Sequence, residues 1–156
     1  MPTIEDSPFV LWESNTIVRY LTAKHSTGKL WPEDHKVRAE ADKWMDWQNS
    51  MFLAGLPAAV LEPLVRAPAD EARRATRWRE SRLKTAEILG YLDTHLKNRM
   101  YIVGEHLTMG DIPMGCAVWR WMSLPVERPV MANLQRWFGT LRERPAYQHT
   151  VMPPVS

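Results

Sequence analysis

Leu107-Thr108-Met109-Gly110-Asp111-Ile112 spells out the start of a helix. A hydroxyl residue stands three positions before an acid, the spacing of a capping box. Thr108 is placed to cap the backbone N–H of Asp111, and the Asp111 carboxylate to reach back to the N–H of Thr108. Aspartate replaces the more usual glutamate, so its reach is shorter. Leu107 and Ile112 occupy the positions of a hydrophobic staple. The following segment carries Cys116, Ala117, Trp119 and Met122 and is expected to form the most buried helix. Pro113 removes a donor just past the cap and is expected to bend the first turn.

Outward from this start, the chain reads mostly as helix. A last helix is predicted over 131–144, with Leu134, Trp137, Phe138 and Leu141 inward; Arg144-Pro145 stops it and Met152-Pro153-Pro154 is tail. Upstream, Pro68 and Asp70 punctuate the start of a helix running to about Asn98, with Trp78, Ile88, Leu92 and Leu96 inward. Its arginines, Arg73, Arg74, Arg77, Arg79 and Arg82, read as a solvated face pairing with Glu71 and Glu80. After Trp31-Pro32, Val37, Ala41, Trp44, Gln48 and Met51 form one stripe with Trp47 beside Trp44. Pro57 and Pro63 are expected to kink or break that segment.

The organisation changes near 28–34. Before it, Thr3-Ile4 and Phe9-Val10-Leu11-Trp12 are strand-like runs separated by Glu5-Asp6-Ser7-Pro8, which is turn chemistry. A helix then runs from Glu13 to about Lys24, with Ile17, Tyr20 and Leu21 spaced i, i+3, i+4. Either Glu13 or Ser14 opens it, and Lys24 and His25 sit near its negative end. The fold class is mainly α: an all-helical domain over 28–156, preceded over 1–27 by a β-hairpin and one helix.

Composition narrows the function. With 156 residues, 45% hydrophobic and 24% charged, the chain has ordinary globular composition and length enough for a core without disulfides or metal. Twenty basic residues against 18 acidic ones give a formal charge of +2, no general reason to invoke nucleic acid or an anionic membrane. The single cysteine, Cys116, excludes an internal disulfide framework and a thiolate cluster, and fits a reducing cytoplasm. The N-terminal residues lack the features of a signal peptide. The longest charge-free stretch, 47–61, is shorter than the roughly 20 residues of a spanning helix, and Gly55 and Pro57 interrupt it. Eight tryptophans and nine methionines suggest large apolar interfaces and a ligand pocket, with most of them in the core.

No metal site is expected, because His25, His35, His95, His106 and His149 lack paired ligand spacing. No phosphate loop is present among the seven glycines. Cys116 reads as a structural thiol, since nothing nearby in sequence would lower its pKa. Glu13-Ser14 differs. An acid and a hydroxyl sit where a strand hands over to a helix N-terminus. Backbone N–H groups and a hydroxyl suit a carboxylate there, and Glu13 suits an ammonium, so the pair suits an α-amino acid head group; capping alone is the other reading.

The order of these motifs resembles the glutathione transferase family, in its bacterial, theta-like variety. Met1-Pro2-Thr3-Ile4-Glu5-Asp6, followed by Leu11-Trp12-Glu13-Ser14-Asn15-Thr16-Ile17-Val18-Arg19-Tyr20-Leu21, resembles the second half of the glutathione-binding, thioredoxin-like domain. Thr108-Met109-Gly110-Asp111-Ile112 resembles the capping box of the helical domain. Asn133-Leu134 to Trp137-Phe138, and on to Arg144-Pro145-Ala146-Tyr147, resembles its final helices.

The resemblance implies that Pro2 is the family's cis-proline and that the Met1 backbone pairs with the cysteinyl part of glutathione. It implies that Glu13 and Ser14 bind the γ-glutamyl head group, and that Thr108 and Asp111 are a structural cap. Trp44, Trp47, Gln48 and Met51, with Trp119, lie where the family lines its hydrophobic substrate pocket or dimer cleft. The implied activity is conjugation of glutathione thiolate to a small apolar electrophile by a cytoplasmic homodimer, with glutathione as co-substrate and no metal, nucleic acid or membrane partner. The family's first strand–helix–strand, which carries the group that activates sulfur, has no counterpart in these residues. A truncated, catalytically impaired chain is therefore expected, and no residue in it is assigned as catalytic. A non-catalytic binding or dimerisation module, or another glutathione-dependent activity (reductase, dehalogenase, isomerase), stands as the alternative.

Overall fold

The structure, a computed structural model, describes residues 2–52 and 71–152. Met1, the prolines 57, 63 and 68, Asp70 and the tail beyond Met152 lie outside the described residues, as do the side chains of Met51, Glu71, Arg73, Arg74 and Arg77. Two strands, β1 (Thr3–Asp6) and β2 (Phe9–Trp12), pair antiparallel with Ile4 opposite Leu11. Helix α1 (Ser14–His25) follows, then α2 (His35–Trp47), which widens into a π-helical turn over Gln48–Phe52. Helices α3 (Glu71–His95), α4 (Asp111–Met122), α5 (Ala132–Arg142) and α6 (Pro145–Thr150) complete the described chain. No helix among the described residues is long and apolar enough to cross a membrane.

Helix α4 runs through the main core. Its Met114, Ala117, Val118 and Trp121 meet Ile88, Leu89, Leu92 and Leu96 of α3, and Leu134, Trp137, Phe138 and Leu141 of α5. Burying a side chain of that size stabilises by about 1.5–3 kcal/mol. A smaller cluster of Ala41, Met45 and Met109, with Val18 and Trp31 packed against it, joins α1 and α2 to the start of α4. Gly110 is needed there for space: a Cβ would lie 2.8 Å from the Ala41 carbonyl oxygen.

The start of α4 is built around a buried carboxylate. Asp111 has no exposed surface. Its Oδ1 accepts from Ile102 N at 2.9 Å and Trp137 Nε1 at 2.8 Å. Its Oδ2 accepts from the Thr108 N–H at 2.9 Å and the Thr108 hydroxyl at 3.2 Å. The hydroxyl therefore donates to the acid instead of capping the Asp111 N–H, which goes to the Thr108 carbonyl at 3.1 Å. Burial pushes this carboxyl above the usual carboxylate range, against the pull of the four donors.

Several expectations are corrected, but Pro113 fits where it stands: it is the third residue of α4, where an N–H has no intrahelical acceptor to lose. Pro145 ends one helix and starts another: it is the first residue of α6. Leu21 and Val37 are exposed, at 40% and 39%. In α1 the face toward α2 and α4 is Asn15, Val18 and Thr22; both polar members are satisfied, Thr22 by donating to the Val18 carbonyl at 2.7 Å. Tyr20 instead faces the hairpin, with its ring 5.5 Å from Phe9 and its hydroxyl donating to Asp6. Arg82 turns to Glu127, donating to its backbone carbonyl at 3.2 Å.

Candidate functional site

β2 ends at Trp12 and α1 begins at Ser14, so Glu13 alone makes the corner. It does so at φ 75 and ψ 116, a left-handed conformation unfavourable for any residue with a Cβ. Holding a non-glycine residue there costs on the order of 1–3 kcal/mol and persists only where the surroundings over-determine it. Two fixtures do so: the Glu13 carbonyl accepts from Ile17 N at 2.8 Å, and Asn15 is tied into α2.

Neither flanking side chain caps the helix. Glu13 and Ser14 are both exposed, and the N–H groups of the first turn point out without a side-chain acceptor. This corner presents a hydroxyl, open N–H groups at the positive end of a helix, and a carboxylate. A carboxylate ligand suits the first two and an ammonium the third. Pro2 is exposed just ahead of β1; its bond to Met1 lies outside the described residues. The described cis peptide bond is Ser7–Pro8, in the hairpin turn.

Residues 52–145 match the family described as glutathione S-transferase, C-terminal domain. The chain is 37% identical over 153 residues to glutathione S-transferase GstB of Escherichia coli (strain K12), a match covering 97% of this chain and 72% of that protein. The chain belongs to the glutathione S-transferase family. Its fold matches a theta class glutathione S-transferase from Xanthomonas axonopodis pv. citri, solved with glutathione bound, at TM-score 0.91 and 39% identity. That match covers 100% of this chain and 74% of the other. A further relative, elongation factor 1-gamma of Rattus norvegicus, is 30% identical over 95% of this chain, which spans 33% of that protein.

The three tryptophans expected at the pocket of this transferase-family chain, Trp44, Trp47 and Trp119, fall into two groups. Trp44 is buried in the main core, meets Trp47 edge-on at 5.1 Å between ring centroids, and lies 4.4 Å from the ring of His95. Trp47 is half-buried against the same core. Gln48 is buried at the point where α2 widens, and its Oε1 accepts from Asn15 Nδ2 at 3.3 Å. Trp119 stacks on Phe138 at 6.3 Å, and its indole N–H is buried without a hydrogen-bond partner among the described residues. Its side chain therefore contacts α5, whereas Trp44 and Trp47 contact each other on α2.

Cys116 is half-buried and borders a mostly apolar cavity of about 240 Å³ with Ile112, Leu141 and Tyr147. Burial pushes both the Cys116 thiol and the Tyr147 phenol up, and the phenol donates to the Gly115 carbonyl at 2.8 Å. Neither group supplies a thiolate or phenolate near neutral pH. Among the described residues no group of three or more His, Cys, Asp or Glu could hold a metal ion.

Sequence reasoning missed the residues that tie the corner to the helical domain. Asn15 donates to the Met45 carbonyl at 2.8 Å, and Arg19 to Asp42 and Asp46, each at 2.5 Å. The signal available was weak: a charged residue on each of two amphipathic helices, without information on which faces meet.

Proposed function

We propose that Glu13 and Ser14 hold the γ-glutamyl head group of glutathione, and that the chain serves conjugation of glutathione thiolate to a small apolar electrophile. The observation that carries this reading is the strained, uncapped corner at Glu13, exposed at a helix N-terminus. The Ser14 hydroxyl and first-turn N–H groups take the glutamyl carboxylate; Glu13 takes the ammonium. In conjugation the thiol gives up its proton, the sulfur lone pair forms a C–S bond, and the leaving group departs with its electron pair. In the same reading, 1–27 is the glutathione-binding unit and 28–156 the helical one. The Met1 backbone and Pro2 face the cysteinyl part, Trp44, Trp47, Gln48, Met51 and Trp119 line the electrophile pocket or the cleft of a homodimer, and the protein works in the cytoplasm. In this reading Glu13 and Ser14 hold the glutamyl end of glutathione, away from its sulfur, and no described residue is assigned to activate the sulfur.

Titration of the chain with glutathione, followed by amide NMR, tests this. Ser14 and its neighbours are expected to shift, and Ser14→Ala or Glu13→Ala to weaken binding about tenfold. Unchanged affinity in both variants refutes the assignment. Robust glutathione-dependent turnover of a chloronitroaromatic by these 156 residues refutes the claim about activation. The second reading is a non-catalytic binding or dimerisation module; the 30% identity to elongation factor 1-gamma, a protein not named as a transferase, favours it. A defined protein partner with no glutathione binding would establish that reading instead.

A further inference from the structure

We propose that Asn15 is the positioning residue of the head-group site, locking the corner that carries Glu13 and Ser14 onto the last turn of α2. This rests on the assignment of Glu13 and Ser14 to the γ-glutamyl group. Asn15 follows that pair directly but points the other way: Glu13 and Ser14 are exposed, whereas Asn15 is 8% exposed. Both hydrogens of its amide have acceptors far along the chain. Nδ2 donates to the Met45 carbonyl at 2.8 Å and to Gln48 Oε1 at 3.3 Å. Both acceptors lie where α2 gives way to the π-helical turn, a departure from regular helix often found beside functional sites.

The alternative to Asn15 at this seam would be an apolar side chain, which packs without fixing a direction. A buried amide with two bonds accepts one orientation of the helix end and penalises others, since a misplaced end leaves polar atoms unpaired. The strained backbone of Glu13 makes such fixing necessary. Two residues before Asn15 the chain sits in a conformation that relaxes if the helix end is free to turn. Asn15 touches no ligand in this scheme. It acts through the orientation of the Ser14 N–H and the Glu13 carboxylate, and it links them to α2, which carries Trp44 and Trp47, and to Gln48 at the start of the π-helical turn.

The test compares glutathione with cysteinylglycine, which lacks the γ-glutamyl group, by amide NMR titration of the full chain. The wild type is expected to bind glutathione more tightly, with the Ser14 amide responding to glutathione alone. Asn15→Asp is nearly isosteric but sets carboxylate oxygens against two acceptors. It is expected to weaken glutathione about tenfold while leaving cysteinylglycine unchanged, so the ratio between the two collapses. Gln48→Ala removes only the longer bond and is expected to lower the ratio severalfold. Asp93→Ala serves as the structural comparison, since Asp93 accepts from Leu134 N at 2.8 Å at the start of α5, away from the corner. It is expected to lower the thermal midpoint and leave the ratio intact. A full ratio in Asn15→Asp overturns the proposal, as does an equal collapse in Asp93→Ala. If Asn15→Asp fails to fold, an undiminished ratio in Gln48→Ala overturns it. Equal binding of both peptides by the wild type overturns the head-group assignment itself, and the proposal with it.

Discussion

Replacing Asp111 with alanine tests whether the start of α4 is the keystone of the helical domain. The side chain is fully buried and accepts from Ile102 N, Thr108 N, the Thr108 hydroxyl and Trp137 Nε1. The hydroxyl can rotate to another acceptor, but the three N–H donors cannot. Each orphaned N–H costs about 1–3 kcal/mol in a site closed to water. The carboxylate's own desolvation is recovered, which offsets several kcal/mol. The net expectation is a loss of about 3–5 kcal/mol. For a chain of this size that lowers the thermal midpoint by about 10 °C. Thr108→Val removes only the hydroxyl bond and is expected to cost about 1 kcal/mol. Urea unfolding of the two variants and the wild type, followed by tryptophan fluorescence, gives both numbers. An Asp111→Ala loss no greater than that of Thr108→Val would refute the network account and leave a plain helix cap.

Two further expectations concern strain and protonation. Glu13→Gly is expected to stabilise the fold by about 1 kcal/mol in thermal melts, because glycine accepts the left-handed corner without a Cβ clash, while binding glutathione more weakly than the wild type; a lower midpoint would refute strain at this residue. His95 is held below its ordinary pKa chiefly by burial, with Arg99 and Lys43 adding to the effect and the Ile102 carbonyl and Glu40 opposing it. Folding therefore favours the neutral ring. Its contribution is fully present above about pH 6.5 and is lost as pH falls through the depressed folded value. Thermal midpoints at pH 7.5 and 5.5 are expected to fall less in His95→Gln than in the wild type; equal falls would refute the role of His95.

Half of the capping box was legible because it is local: Thr108 and Asp111 are three residues apart, and the Thr108 N–H contact to the Asp111 carboxylate needs no distant partner, whereas the Thr108 hydroxyl turns to the same acid. The rest of the Asp111 network was not. Trp137 lies 26 residues further on, and its indole reads in the sequence only as one more apolar residue of a periodic helix. The inward face of α1 was legible only in part: Ile17 is buried as its spacing suggests, but the rest was missed for the opposite reason. Hydrophobic spacing points to Leu21, but the buried stripe includes Asn15 and Thr22, polar residues whose bonds lie in α2 or in the preceding turn. Periodicity detects apolar burial and is blind to satisfied polar burial. At the corner, the residue types of Glu13 and Ser14 announced a head-group site. The positive φ of Glu13 was silent, since glutamate carries no signature for that conformation.

The two seams of this molecule divide stability from direction. Between α3, α4 and α5 the contact is a continuous apolar core including Leu89, Leu92, Leu96, Trp121 and Trp137, which supplies most of the burial energy and tolerates small adjustments. Between α1 and α2 the apolar contribution is small: Ala41, Met45 and Met109, with Val18 and Trp31 at the margin. That seam is stitched by Asn15 to Met45 and Gln48, and by Arg19 to Asp42 and Asp46, where the two carboxylates are 45% and 73% exposed. Exposed ion pairs contribute about 0–1 kcal/mol each. Their value here lies in geometry: Arg19 reaches two acids one turn apart on α2, so it fixes the register of one helix along the other. A ligand site at the end of α1 needs that register more than it needs stability. The N–H groups and carboxylate at Glu13 and Ser14 recognise a head group only while they face it together.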